Sequence, residues 1–244
     1  MQTFIMHDRE GPFVEELVRD IYCASLPATD FEPFVRDLRR VTGGREVPSS
    51  LRVHRGLHYR IGSDESLGIY PALVMPLMRG GEVRGVELLY LDHDFLKAAP
   101  VIDPHQVYFA EAVEEGLYMP LYEPSGGVYG VAKGLDSALA AAALSGIPTC
   151  AINKGDSLAA FQIPPGVTRL AIFATTETMD EAQALALAAE AVGVDAQITA
   201  PDTPQASWFT ELLMSGAVPV DDIAEQAAAG IESVNPPVED DSHE

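Results

Sequence analysis

The chain has 244 residues, a hydrophobic content of 47% and a net charge of −22 at pH 7. This length and composition predict a globular protein with enough chain for one large domain or two small ones. The sequence shows no apolar run near the roughly 20 residues that span a bilayer and no secretory signal, so we expect a cytoplasmic protein without a membrane segment. Two cysteines far apart, Cys23 and Cys150, also fit a reducing compartment.

The charge is distributed unevenly along the chain. Residues 121–244 carry three basic residues against 18 acidic ones, a net charge of −15. A field of this sign repels polyphosphates and disfavours nucleic-acid binding by that half. The Arg36–Arg60 region has a net positive charge, with seven arginines against two acids. We favour a solvated basic face here over a phosphate-binding stripe, and nucleic acid would bind only through this region.

The N-terminal region is predicted to be helical. Apolar residues at 3-4 spacing predict an amphipathic helix over residues 8–24. A second helix is predicted over residues 30–42, with Asp30 as a candidate cap and Gly43-Gly44 as its end.

A β-rich segment follows from residue 48. The apolar runs 69–78 and 83–91 are separated by Arg79-Gly80-Gly81-Glu82, and this turn chemistry predicts a β-hairpin. Residues 105–122 mix helix-forming and strand-like pieces and stay unassigned.

From about residue 126 the pattern changes to alternating strands and helices. The predicted strands are 128–132, 149–152, 169–174 and 195–199, and the predicted helices are 136–143, 157–161 and 179–192. Such alternation predicts a parallel sheet with helices on its faces. We divide the chain into a helical segment (1–47), a β-rich segment (48–125), an α/β domain (126–214) and an acidic tail that is partly disordered (215–244).

The motif Val131-Ala132-Lys133-Gly134-Leu135-Asp136-Ser137-Ala138-Leu139-Ala140 resembles the opening of a TOPRIM domain, in which a strand is followed by Glu-Gly and a helix of small residues. The segments Leu51–Tyr59, Pro71–Leu77 and Gly81–Gly85 resemble the part that precedes this domain in phage and plasmid primase-helicases. The resemblance covers about residues 51–214. It implies a TOPRIM-like parallel sheet flanked by helices, preceded by a helical and β-hairpin region, and a role in the DNA replication of a mobile element.

The resemblance also implies four acidic site positions, and three of them are not acidic here. Lys133 stands where a glutamate acts as general acid or base, Thr175 and Glu177 stand where an Asp-x-Asp pair holds magnesium, and Ser207 stands at a further acid. An ammonium group has no lone pair for a metal and repels it. The site is therefore predicted to be degenerate, with no catalytic residue assigned.

A rebuilt magnesium site is the alternative to a degenerate one. Glu177 and Asp180 are its candidate ligands, three residues apart at the start of a predicted helix, and Asp136 and Asp156 are further acids that could substitute for the missing ones. Acids at a helix N-terminus are equally explained by the helix dipole. We favour that explanation and expect no cofactor, with Mg²⁺ needed only if the site is rebuilt.

Lys133 has two interpretations. We favour an ion pair with Glu177 across neighbouring strand ends, which would neutralise an abandoned site. In the other interpretation Lys133 binds an anion together with the N-terminus of the 136–143 helix. Arg52 and Arg55 are the other candidates for anion binding.

Three functions stay open. We favour a pseudo-enzyme, a non-catalytic protein derived from a phage or plasmid DNA primase that acts by binding another protein. The alternatives are an active Mg-dependent primase or nuclease with a rewired site, and an acidic DNA mimic that inhibits a nucleic-acid-binding protein. A protein partner is expected in the first case, and a homo-oligomer stays open.

Overall fold

A computed structural model describes residues 12–31, 42, 45–60, 66–94, 98–109, 115–202 and 207–208. The α-helices in these ranges are α1 (Pro12–Ala24), α2 (Leu135–Ser145) and α3 (Met179–Ala191). The strands are β1 (Leu26–Pro27), β2 (Arg52–Tyr59), β3 (Gly68–Arg79), β4 (Glu82–Tyr90), β5 (His105–Phe109), β6 (Tyr118–Met119), β7 (Val128–Lys133), β8 (Thr149–Ile152), β9 (Arg169–Phe173) and β10 (Asp195–Thr199). None of the helices described here is long and apolar enough to cross a membrane.

The described strands form one mixed sheet. Its main path runs β1-β2-β3-β6-β8-β7-β9-β10, while β4 pairs with β3 and β5 pairs with β4. Met78 of β3 pairs with both Val83 of β4 and Tyr118 of β6, so β4 and β6 lie on opposite edges of β3. Residues 72–74 of β3 pair with both β2 and β4, so these two strands also lie on opposite edges of β3. Strand β2 therefore lies on the same edge as β6. The 12-residue strand β3 therefore supports β2 and β6 one after the other.

The C-terminal part of the sheet is parallel, as predicted. Strands β8, β7, β9 and β10 run in one direction, and helices cover both faces. Successive residues of β7 point to opposite faces, so Ala132 packs with α2 while Val131 packs with α3. The fold is thus mixed α/β, with a largely parallel region flanked by helices.

The two helices on this sheet differ in how deeply they are buried. Six consecutive residues of α2, from Ala138 to Ala143, are buried, which small side chains permit on every face of the helix. In α3 only Ala182, Leu185 and Ala189 are buried, on the face that packs against the sheet. Helix α2 is therefore an interior element and α3 an outer one.

The predicted β-hairpin is confirmed, with strands β3 and β4 joined at Gly80-Gly81. Both glycines have positive φ angles, 58° and 86°. A two-residue turn with positive φ at both positions matches the right-handed twist of the flanking strands, and glycine adopts it without a steric cost. The turn chemistry therefore determined both the position and the type of this connection.

Helix α1 covers the hairpin region on one face. Val18 and Ile21 of α1 pack with Tyr59 and Tyr90, whose rings meet edge to face with centroids 5.2 Å apart. The helix predicted over 8–24 is confirmed from Pro12 onwards, and residues 1–11 lie outside the described part. The antiparallel part of the sheet is thus also covered by a helix, on the face that carries Tyr59 and Tyr90.

Other predictions meet the structure only in part. Most of the helix predicted over 30–42 lies outside the described residues, and Asp30 is the last residue of a short 3-10 helix, Ala28–Asp30. Residues 105–122, left unassigned, contain β5 and β6. The tail 215–244 also lies outside the described residues. Because β6 pairs with β8, the sheet continues across the predicted boundary at residue 126, and the division into domains stays a prediction.

Candidate functional site

Three of the four positions that the resemblance implies, Lys133, Thr175 and Glu177, lie at one edge of the sheet, and the fourth, Ser207, lies in the same region. Strands β7 and β9 are parallel neighbours, with Ala132 in register with Phe173, so Lys133 and residues 174–177 follow them at the same carboxyl edge. Trp208 reaches this edge too, since its Nε1 donates a 3.0 Å hydrogen bond to the carbonyl oxygen of Ala174. Ser207 is therefore brought to the same region. In open α/β sheets this edge is where ligands bind.

Lys133 forms an ion pair with Glu181 at this edge. The Lys133 Nζ donates to both carboxylate oxygens of Glu181, at 3.0 and 3.3 Å. The two side chains are 22% and 30% exposed, so the pair is shielded from much of the solvent. It links the end of β7 to the first turn of α3.

Glu181 has further donors around it. The backbone N–H of Leu158 donates a 2.8 Å hydrogen bond to Glu181 Oε2, and the side chain of Ser157 contributes another. Burial alone raises the pKa of Glu181, but the Leu158 hydrogen bond together with the hydrogen bond and charge of Lys133 outweighs it and lowers that pKa below its usual range. Glu181 is therefore held ionised and joins three segments of chain.

The expected pair between Lys133 and Glu177 is wrong. Glu177 lies in a short 3-10 helix, Thr176–Thr178, where it is exposed and makes no ion pair with the residues described. Helix α3 begins only at Met179, so Glu181 rather than Glu177 is carried towards β7 on its first turn. Spacing along the sequence identified the segment that contains the partner of Lys133, but it selected Glu177 instead of Glu181.

Thr175 has a local structural role. Its backbone N–H donates a 2.9 Å hydrogen bond to Thr178 Oγ1, and the two hydroxyl oxygens are 3.3 Å apart. This reciprocal capping starts the 3-10 helix after β9. At the third non-acidic position, Ser207 is exposed beside Trp208, whose ring meets Phe173 edge to face at 5.2 Å.

The other acids near this edge are dispersed. Asp136 is 3.9 Å from the Lys154 Nζ, and both side chains are 65% exposed, so this pair contributes little. Asp156 has a buried Oδ2 with no hydrogen-bond partner in the described structure. Burial raises the pKa of Asp156, as does the charge of Glu115, while Lys133 opposes the shift. Asp180 is exposed on α3.

The described carboxylates at this edge are not grouped as a magnesium site of the implied kind would require. Of the four positions that the resemblance implies, only Glu177 offers a carboxylate, and the nearest shielded carboxylate, that of Glu181, already binds Lys133 and Leu158. Within the described ranges no three His, Cys, Asp or Glu side chains are grouped to hold a metal. Magnesium is coordinated by hard oxygen ligands in near-octahedral geometry, and the described side chains at this edge bring no group of carboxylates together for it.

A buried polar contact that the sequence reasoning missed lies between the two parts of the sheet. Asn153 follows β8, and its Nδ2 donates a 2.6 Å hydrogen bond to Oε2 of Glu87 on β4. Both residues are buried, and His105 Nδ1 is 3.8 Å from the other oxygen of Glu87. The available signal was the single acid in the largely apolar strand VRGVELLYL, since a carboxylate buried with such a strand needs a partner.

The arginine candidates have structural contacts of their own. Arg52 donates from its guanidinium to the Oγ and the carbonyl oxygen of Ser25, with the Oγ bond at 2.8 Å, and its guanidinium lies 5.0 Å from the ring centre of Tyr22. Arg55 lies 5.5 Å from the ring centre of Phe31. None of these partners contacts Lys133, so the structure does not bring the three anion-binding candidates together.

Comparison with known proteins does not identify a family. No protein-family model matches this chain, and no curated protein matches it either. The interpretation of the site therefore depends on the geometry described above and on the sequence resemblance.

Proposed function

We propose that this chain is a non-catalytic, TOPRIM-like protein, derived from a DNA primase of a phage or plasmid, that acts by binding another protein in the cytoplasm. The observation that carries the proposal is the Lys133–Glu181 ion pair. It occupies the position at which the resemblance implies a catalytic glutamate, and it satisfies both charges within the protein.

The chemistry at this edge supports a structural use of the site. A general acid or base must exchange a proton with a substrate, but an ammonium group held by both oxygens of a carboxylate is a donor already engaged. Thr175 serves as a cap and Glu177 stands alone and exposed. A phosphoryl-transfer enzyme needs grouped carboxylates to hold its metal ions, and these residues do not provide them.

The fold and the charge support descent from a primase and action through protein contacts. Strand β7, Gly134 and the small-residue helix α2 follow one another in the order that the resemblance implies. The net charge of −15 over residues 121–244 opposes binding of a nucleic-acid backbone. A chain with this order of elements and a charge that repels nucleic acid is better suited to bind a protein than to act on DNA.

Metal titration combined with activity assays tests the non-catalytic part of the proposal. We expect calorimetry to show no saturable Mg²⁺ or Mn²⁺ binding, and we expect no primer synthesis or nuclease activity. Glu177→Ala is the informative variant and Glu190→Ala, another exposed acid, is its control. Saturable binding with an activity that is lost in Glu177→Ala and kept in Glu190→Ala would show an active enzyme with a rewired site.

Capture experiments in the native host test the binding part. The full-length chain, cross-linked in cells, is expected to recover a protein partner before and after nuclease treatment. Recovery that depends on intact nucleic acid would contradict the proposal. Displacement of the captured partner by added duplex DNA would instead favour the DNA-mimic alternative.

A further inference from the structure

The outer face of α3 carries apolar side chains that no described residue covers. Leu187 is 69% exposed, and Val192, at the end of the helix, is 72% exposed. Ala184 and Ala191, about one turn before and after Leu187, are exposed on the same face, and the adjacent Ala188 is exposed as well. Since the opposite face already packs on the sheet through Leu185, α3 is apolar on two sides, and only one of them is buried by the sheet.

The charged residues of α3 are all acidic. Asp180 lies at its amino end and Glu190 near its carboxyl end, both exposed, and residues 179–191 contain no basic residue. Lys133, a basic side chain beside the helix, is neutralised by Glu181. An apolar strip with acids at both ends favours a partner surface with an apolar centre and basic ends.

We infer that this outer face of α3 is the docking surface for a basic amphipathic helix of the protein partner, an inference that rests on the proposed function. Charge argues against two of the other occupants. Pairing with the α3 of a second copy would place one acidic helix against another. The chain's own residues 215–244 hold eight acidic and no basic residues, so they too carry the wrong charge. A foreign helix with lysine or arginine beside its apolar stripe complements both the apolar strip and the acids.

Peptide binding to the full-length chain tests the inference. The probe is a synthetic helix of about 18 residues, five turns, with leucine on one face and lysine on the others. Its controls are a scrambled peptide of the same composition and a version with glutamate in place of lysine. We expect saturable binding of the probe alone, measured by fluorescence anisotropy, with affinity that falls as salt increases.

Two matched variants locate the binding site. Leu187→Asp is expected to weaken binding of the probe at least about tenfold, because it places a charge at the centre of the apolar strip. Ile102→Asp changes another exposed apolar residue, 87% exposed and outside α3, and is expected to leave the affinity unchanged. Equal binding of the scrambled peptide, or a probe affinity unaffected by Leu187→Asp, would overturn the inference.

A photo-reactive amino acid at position 187 identifies what covers the face. Cross-linking to the probe helix supports the inference. Cross-linking to a second copy or to residues of the same chain would assign the face to an oligomer or to an internal contact, and would overturn it. These results are independent of the metal and activity assays: a partner captured equally well by the Leu187→Asp variant would leave the proposed function standing and remove only this surface.

Discussion

Asn153 and Glu87 join the parallel and antiparallel parts of the sheet through a 2.6 Å hydrogen bond between buried side chains. Asn153 is itself fixed by its own loop, since its Oδ1 accepts a 2.7 Å hydrogen bond from the N–H of Gly155. The loop after β8, which carries Lys154 and Asp156 to the candidate site, is thereby held against β4.

Removing this contact should destabilise the protein. We expect Asn153→Ala to lower the free energy of unfolding by roughly 1–3 kcal/mol, because it leaves the Glu87 carboxylate buried without its amide donor. The double variant Glu87→Met/Asn153→Ala should lose at least about 0.5 kcal/mol less than the sum of the single variants. Urea denaturation measures these differences. A cost for Asn153→Ala no greater than that of the exposed control Gln183→Ala would contradict a role for the pair.

The partner of Lys133 can be identified by charge changes. Lys133→Glu is expected to reduce the unfolding free energy by about 2 kcal/mol or more, since it faces Glu181 with a like charge that is partly shielded from water. Glu181→Gln should cost roughly 1–3 kcal/mol, because it weakens hydrogen bonds that the carboxylate accepts. Glu177→Gln, an exposed change, should stay within about 0.5 kcal/mol. A larger loss of unfolding free energy in Glu177→Gln than in Glu181→Gln would support the Lys133–Glu177 pair expected from the sequence.

The pH dependence of stability should report Glu181. Its pKa is lower in the folded protein than its ordinary value of 4.5, so its stabilising contribution is complete above about pH 4.5 and is lost as pH falls through the folded pKa. The stability difference between the wild type and Glu181→Gln should therefore shrink below pH 4.5. Chemical denaturation at a series of pH values measures it, and a difference that stays constant down to pH 2 would contradict the prediction.

Asp156 should show the opposite sign. Burial, with repulsion from Glu115, raises its pKa above 3.8 in the folded protein, so the charged form costs stability at neutral pH. Asp156→Asn is expected to stabilise the protein at pH 7 by at most about 1 kcal/mol, since the group is only half buried, and to have little effect below pH 3.8. Destabilisation at pH 7 would indicate that the carboxylate binds a partner important for folding.

Arg52 of the Arg36–Arg60 region is expected to stabilise the fold and not to bind phosphate. Arg52→Ala is expected to cost about 1–2 kcal/mol in unfolding free energy, because it removes the hydrogen bonds to Ser25 and the contact with Tyr22. Arg19→Ala, at an exposed pair with Glu16, is the control and should change little. Binding of fluorescent single-stranded DNA should be the same for both. A selective loss of DNA affinity in Arg52→Ala, at unchanged stability, would favour the phosphate-binding interpretation.

Local patterns predicted most of the elements in the parallel region. The bounds of β8 and β10 match the predicted strands, and α2 and α3 agree with the predicted helices to within two residues at either end. Side-chain periodicity determines such elements locally. The order of the strands was not predicted, because β6 pairs with β8 and β3 through contacts distant in sequence.

The candidate site was predicted in position but not in its contacts. Lys133, Thr175 and Glu177 were placed at one edge from the ends of predicted strands. The start of α3 at Met179 was predicted correctly, but the choice of Glu181 over Glu177 was not, because it depends on the short 3-10 helix that leaves Glu177 exposed and on a hydrogen bond from Leu158, which is distant in sequence. Glu87 was missed because its burial follows from the tertiary packing of β4 against the loop after β8.

The different burial of α2 and α3 sets different limits on sequence change in two helices of similar composition. Every residue from Ala138 to Ala143 is enclosed, so a larger side chain there must displace its neighbours. On α3, positions such as Leu187 and Ala188 border solvent, where new side chains meet no packed neighbour. Substitutions on the exposed face of α3 can therefore change what this helix binds without disturbing the fold. We expect adaptation to a new partner to appear as substitutions at these exposed positions.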